Sequence, residues 1–260
     1  MYRRLGLRIY FNANNKATRE ALIDCGVKNV MVAHKYAYAS IDSYRDNFDS
    51  VFVVAGVKGD KEKYHDWLIK NKQKYDYATQ FDIFYGMEGT LQCLKEERDK
   101  GIDWTIPVLQ QNYLQHISRL KPKRDDYICL GEIKGKIEME DQIRKLPPLK
   151  YHGLAKGNFI KRNRMFESID TSAWISAAVS KKTEIWMNNN TISMYFGNKG
   201  KGMVSQLQYY LEKYKDNMDK IGITKEQILN NDYNALLRLP FAVLFMPMCK
   251  SFNIYDANFE

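Results

Sequence analysis

Two features of this sequence predict an α/β chain folded as a (β/α)8 TIM barrel, and a third argues against the nearest rival. Eight short apolar runs recur along the chain, at Leu7–Phe11, Asn29–Ala33, Ser50–Ala55, Tyr77–Phe84, Thr105–Leu109, Tyr127–Leu130, Leu149–Leu154 and Phe166–Asp170. Amphipathic segments separate them, and that alternation is the pattern of a parallel sheet with helical crossovers. A doubly wound open sheet shares the alternation and is the alternative, but no glycine-rich phosphate loop follows the first run.

The helical segments are expected at Lys16–Cys25, Ile41–Asn47, Asp60–Lys74, Gly89–Lys100, Asn112–Leu120, Met139–Lys145 and Phe159–Met165. Asp60–Lys74 is the clearest, because Asp60 can cap it and Tyr64, Leu68 and Ile69 fall on one face. After residue 174 the pattern changes. Thr183–Met187 and Thr191–Phe196 flank Asn188–Asn190, which predicts a hairpin, and Met203–Met218 and Lys225–Leu239 read as helices. The expected organisation is a barrel over 1–182, with a C-terminal hairpin and helical appendage over 183–260 packed on it.

Composition narrows the class. Of 260 residues, 45% are hydrophobic and 27% charged, ordinary values for a globular protein with a buried core. No apolar run approaches the ~20 residues that span a bilayer; Leu239–Met248 is short and carries two prolines, and reads as a buried segment. No signal peptide is visible at the start, so a cytoplasmic location, phage-encoded or otherwise, is the expectation. Four cysteines stand far apart, at Cys25, Cys93, Cys129 and Cys249, without paired spacing or nearby histidines in the sequence. That predicts neither a zinc site nor a disulfide framework, and no cofactor is expected. The net charge of +9 favours a polyanionic partner. Basic residues bunch at Arg119–Arg124, at Lys156, Lys161, Arg162 and Arg164, and at Lys199, Lys201, Lys213 and Lys215, with Tyr209, Tyr210 and Tyr214 beside the last group. Such mixing suits phosphate contact with base stacking, and equally a solvated lysine-rich surface.

The chemistry-bearing stretch is Lys150–Asn158 followed by Phe166–Trp174, two short strands ending in small and polar residues around a basic segment. A strand–helix–strand unit ending at Asp170 would present a carboxylate at the strand end where barrel enzymes keep their chemistry. The other reading is an aspartate that caps the turn after it.

The order and spacing of five segments resemble the tRNA-guanine transglycosylase superfamily, closest to its compact phage and bacterial branch that places 7-deazaguanines into DNA. The likeness covers roughly residues 25–175. Tyr77–Phe84 is similar to the strand that carries the base-recognising aspartate, which would be Asp82. Ile106–Asn112 is similar to the next, with Gln110 as a base contact; Tyr127–Lys134 takes the place of a glycine-rich base cradle, here Gly131. Lys150–Gly157, with Gly153, precedes the nucleophile strand, and Phe166–Trp174 closely resembles that strand, with Asp170 as nucleophile. Two positions depart from the family. Where its third strand ends in an assisting aspartate, this chain has Val54 and Ala55, whereas Asp49 precedes the strand; and Glu132 stands where a glycine follows Gly131. The zinc-binding cysteines of tRNA-acting members are absent, which favours DNA over tRNA.

The resemblance implies base exchange through a covalent sugar–aspartate intermediate, with nucleic acid and a 7-deazaguanine base as partners. It also implies a homodimer or heteromer. Glu132 and His152 are the candidate proton sources, and His152 reads equally as a packed strand residue. The alternatives are a base-excising glycosylase, a non-catalytic barrel that binds nucleic acid or an active subunit, and an unrelated barrel enzyme for a small phosphorylated molecule.

Overall fold

The computed structural model describes residues 6–34, 41–55, 59–81, 86–110, 112–131, 142–154, 166–195 and 201–260, with side chains from 206 onward in the last stretch. The chain divides into two compact units. One holds Leu7–Asn12 and the described part of Asn29–Thr171; the other holds Gly6, Ala13–Lys28 and the described part of Ser172–Glu260.

The first unit is an eight-stranded, all-parallel sheet: β1 (Arg8–Asn12), β2 (Asn29–Ala33), β3 (Ser50–Val54), β4 (Tyr77–Ala78), β5 (Val108–Leu109), β6 (Tyr127–Leu130), β7 (Lys150–Gly153) and β8 (Ser168–Thr171). All eight fall within one or two residues of the apolar runs, except that β4 and β5 are shorter. Strand order is β4-β3-β2-β1-β8-β7-β6-β5, so consecutive strands are neighbours except β4 and β5, which form the two edges, and β1 pairs with β8. A doubly wound sheet would break that order at a switch point, and this one does not.

The sheet is strongly curled. β4 and β6 are six places apart, which in a flat sheet would be about 29 Å at ~4.8 Å per strand. The rings of Tyr77 on β4 and Tyr127 on β6 nevertheless lie 5.4 Å apart. The outer strands touch at one parallel bridge, Thr79 opposite Ile106, with Ile106 N–H donating to the Ala78 carbonyl at 2.8 Å. Alternate residues fill the inside: Tyr10, Met31, Phe52, Ile106, Val108 and Cys129 form one buried cluster, with Val54, Tyr77, Tyr127 and Leu154 against it.

A buried carboxylate guards the seam between β4 and β5. Glu97 is 0% exposed, on the helix Met87–Asp99. It accepts from the Phe81 N–H at 2.8 Å, just past β4, and from the Thr105 hydroxyl, just before β5. His65 Nε2, on the helix Lys61–Lys70, lies 3.2 Å away. The Lys100 ammonium lies 3.3 Å from His65 Nδ1, so the ring accepts there and carries its proton on Nε2, facing the carboxylate. Cys93 Sγ completes the group at 3.6 Å, its thiol pushed up to about 12 by burial and by Glu97. The fold thus brings a histidine and a cysteine together that the sequence spacing kept apart, with ligand atoms within 4.8 Å of one another. The donors around Glu97, and a protonated thiol, make it a hydrogen-bonded junction.

Helix placement follows the sequence with several corrections, three of them breaks. Asp60–Lys74 is the helix Lys61–Lys70 with a 3-10 turn at Lys72–Lys74. Met203–Met218 divides into Lys201–Lys213 and Lys215–Lys220, and Lys225–Leu239 into Lys225–Leu229 and Tyr233–Pro240. Asp60 caps its helix, accepting from Lys63 N–H at 3.2 Å, and Tyr64 and Leu68 are buried, but Ile69 is 50% exposed and Trp67 takes its place inside. One step of ~100° beyond Leu68 carries residue 69 out of the buried arc. Ile41–Asn47 forms two 3-10 turns, Ile41–Ser43 and Arg45–Asn47, broken at Tyr44 with φ −138°. The helix expected from Gly89 begins at Met87. Met139–Lys145 lies partly, and Phe159–Met165 wholly, outside the described residues.

In the second unit, β9 (Lys182–Met187) and β10 (Asn190–Tyr195) form the expected hairpin. Asn188 and Asn189 both have positive φ, 46° and 65°, as its two-residue turn requires. The helix Lys16–Asp24 opens on a capping box between Asn15 and Thr18. Tyr233–Pro240 runs into the π-turn Phe241–Phe245 and the helix Met246–Ser251; Pro247 offers no N–H to an α-turn there. This segment is buried, as the sequence implied. All four cysteines are buried, and none of them is in a disulfide. Among the described residues no helix is long and apolar enough to cross a membrane.

Glu97→Ala strips the partner from several buried donors and is expected to lower stability by about 3–5 kcal/mol in urea unfolding. Glu97→Gln, which keeps an acceptor, should lose less. A second expectation concerns His34, where burial holds the imidazole down to about 4. The unfolded chain takes up that proton first, near pH ~6.5, so the stability from this group is complete above that pH and is lost as pH falls towards 4. His34→Gln should therefore flatten the acid side of a melting-temperature profile relative to wild type.

Candidate active site

The inward register of the sheet also builds the candidate site. Two residues beyond Val108, Cys129, Ser168 and Tyr10 on their strands come Gln110, Gly131, Asp170 and Asn12. A two-residue step keeps the same face, so all four stand on the inner side at the C-terminal ends. Their strands β5, β6, β8 and β1 are contiguous in the sheet apart from the intervening β7.

Asp170 is 3% exposed. Its Oδ2 accepts from Asn12 Nδ2 at 2.9 Å, and its Oδ1 lies 3.6 Å from His152 Nε2. His152 is wholly buried one step deeper, its ring 4.6 Å from Phe52 and 5.9 Å from Tyr10. Its Nδ1 is 2.6 Å from Ser168 Oγ, which also bonds the Tyr127 hydroxyl. Among the described residues Nε2 has no hydrogen-bond partner, and it faces Asp170. Burial raises the phenols nearby, Tyr10 to about 12 and Tyr127 well above its ordinary value, so both remain protonated donors. Ser168, His152 and Asp170 have the residue types of a hydrolase triad. Ser168 is 0% exposed and already shared between His152 and Tyr127, so it is a structural hydroxyl and not a nucleophile.

Gln110 and Gly131 belong together. A Cβ on Gly131 would sit 2.3 Å from Gln110 Oε1, so the amide lies directly over the glycine. The Gly131 carbonyl is fixed by the Tyr113 hydroxyl at 2.9 Å, and its N–H donates to Leu109 at 2.7 Å. Gly153 stands apart from this set: its alternation partner His152 faces inward, and a Cβ on Gly153 would meet Phe166 at 3.3 Å and Ile169 at 3.4 Å. It packs the outer face.

Val54 ends β3 on the inner side and packs against the apolar cluster, while Asp49 precedes the strand at the opposite end. Asp82, Glu132, Lys156, Lys161, Arg162, Arg164 and Lys199 lie outside the described residues. Lys201 opens the helix Lys201–Lys213, and its side chain is outside the described part. Of the tyrosines expected to stack bases, Tyr209 is 61% exposed, but Tyr214 is buried with its hydroxyl on the Trp186 carbonyl. Lys215 is paired with Asp219 at 2.6 Å. Asn12 is the site residue that sequence reasoning missed; the only signal is a polar residue closing an apolar run.

Gly131→Ala should displace the Gln110 amide at a cost of about 1–3 kcal/mol. Removing the amide with Gln110→Ala in the same chain should recover part of that loss, which a double-mutant cycle by thermal or urea unfolding would measure.

Compared with known proteins, this chain is matched by no family model and by no curated protein.

Proposed function

We propose that this chain is a transglycosylase-like enzyme that breaks the glycosidic bond of a guanine-type base in nucleic acid, DNA in preference to tRNA, through Asp170. The reading takes the curled sheet as a complete (β/α)8 barrel, which the Thr79–Ile106 bridge supports. One observation carries it: a buried carboxylate at the C-terminal end of β8 shares the inner face with the Gln110–Gly131 pair. That is the arrangement the family resemblance implies for nucleophile and base cradle.

In this reading an Asp170 oxygen bonds to the sugar anomeric carbon as the bond to the base nitrogen breaks. The electron pair leaves with the base, whose nitrogen takes up a proton. An incoming 7-deazaguanine, or water, then attacks the same carbon and releases the carboxylate. Asp82 and Gln110 would hydrogen-bond the base edge. Glu132, directly after Gly131, is the carboxyl group closest in sequence to the cradle and the candidate proton donor; His152 approaches Asp170 from within the sheet and acts on that carboxylate. A base held in a duplex must first leave the stack, which costs a few kcal/mol. The basic segments would hold the phosphates.

A second reading has one observation in its favour. Val54 is apolar where the resemblance calls for an assisting carboxylate, which suits a barrel that binds nucleic acid without turning it over. Release of labelled guanine from double-stranded DNA, single-stranded DNA and tRNA, with and without a 7-deazaguanine base, separates the two. Wild type should release base, and Asp170→Ala should lose on the order of 10⁴-fold or more. Binding with no release from any substrate would favour the second reading.

A further inference from the structure

The two oxygens of Asp170 meet unlike partners. Oδ2 takes a hydrogen bond from Asn12 Nδ2 at 2.9 Å, while Oδ1 lies 3.6 Å from the buried His152 Nε2. Asn12 reaches Asp170 from the neighbouring strand, 158 residues away in sequence, where β1 and β8 run in register with Tyr10 opposite Asp170. The contact is therefore fixed by the sheet and not by a loop.

We propose that Asn12 is the positioning residue of the Asp170 carboxylate, a neutral donor that fixes its rotation and makes Oδ1 the oxygen that bonds to the sugar. This rests on the transglycosylase reading above. The chemistry of the ester assigns the oxygens. A carboxylate oxygen and an ester carbonyl oxygen both accept hydrogen bonds well, whereas the bridging ester oxygen is a poor acceptor. Asn12 thus keeps its partner through the whole cycle only if Oδ2 becomes the carbonyl and Oδ1 the bridge. As the Oδ1–carbon bond forms, the carbon–nitrogen bond breaks and its electron pair leaves with the base, which is protonated. Hydrolysis or exchange returns the charge to the carboxylate, still held by Asn12.

Neutrality matters as much as reach. Among the described residues, the titratable groups shown around this carboxylate are His152 from β7 and, one step deeper, Tyr10 from β1 and Tyr127 from β6. An aspartate at position 12 would be isosteric with asparagine but would set two carboxylates in contact. Such a pair holds a shared proton into the neutral range.

The test uses the full chain with Asn12→Ala, Asn12→Asp and the swap Asn12→Asp with Asp170→Asn. Asn12→Ala should lower kcat by about 10²-fold with little change in KM. Asn12→Asp should lose more than Asn12→Ala at neutral pH and recover activity on acidification. Its melting temperature, relative to wild type, should fall as pH rises from about 5 to 8, because the shared proton is then lost. The swap rebuilds the hydrogen bond with its direction reversed. It should return the melting profile towards wild type, while base release stays absent because the carboxylate has moved to β1. Wild-type kcat in Asn12→Ala, or an Asn12→Asp melting profile parallel to wild type, would overturn the inference. A wild type that releases no base overturns the catalytic role together with the proposed function; the melting profiles then report on the contact alone.

Discussion

The described sheet depends on one buried charge. A parallel sheet that curls this tightly must bring together two edge strands of only two residues each, and so short a pair offers little backbone bonding of its own. Glu97 supplies the rest by binding the chain just after β4 and just before β5, on either side of the Thr79–Ile106 bridge. Because it also meets His65, the same carboxylate sets the helix Lys61–Lys70 against the helix Met87–Asp99. Isolated, a carboxylate in this position would be strongly destabilising; surrounded by donors, it fixes one geometry and no other.

Inside the sheet, the register that closes the core also grades its chemistry. Aromatic and hydroxyl side chains fill the deeper positions and hydrogen-bond one another, Tyr10 with Ser50 at 2.8 Å and Ser168 with both Tyr127 and His152 Nδ1, while His152 Nε2 faces Asp170. One step further along the same strands stand Asn12, Gly131 and Asp170. The core and the candidate site are successive turns of one alternation, so a register slip on β1 or β8 would disturb both.

Much of the fold was legible because strands buried on both faces read as unbroken apolar runs, and that signal survives in isolation from the rest of the chain. The hairpin was legible for a local reason too, since three asparagines tolerate the positive φ its turn needs. What could not be read depends on partners distant in sequence. Glu97 sits in Lys95–Lys100, a charge-rich run that looks like a solvated helix face, and only the seam reveals it as buried. Ile69 and Trp67 exchange places because the buried arc is set by what the helix meets. At the site, Asp170, Gln110 and Gly131 were named from motif order, but the overlap of Gln110 with Gly131 is a cross-strand fact. Gly153 shares the composition of a cradle glycine, and only the pleat shows that it faces outward.

The pairing of β1 with β8 bears on how this chain is made. On the ribosome β1 can join β2 soon after both emerge, but its other edge must wait for a partner 158 residues later. At ~5–20 residues per second that interval is roughly 8–30 seconds. Throughout it the apolar strand Arg8–Asn12 presents unpaired backbone groups, a template for pairing with other nascent chains. The carboxylate of Asp170 arrives with the strand that ends this exposure, so the candidate site and the protection of the nascent sheet are completed in the same event.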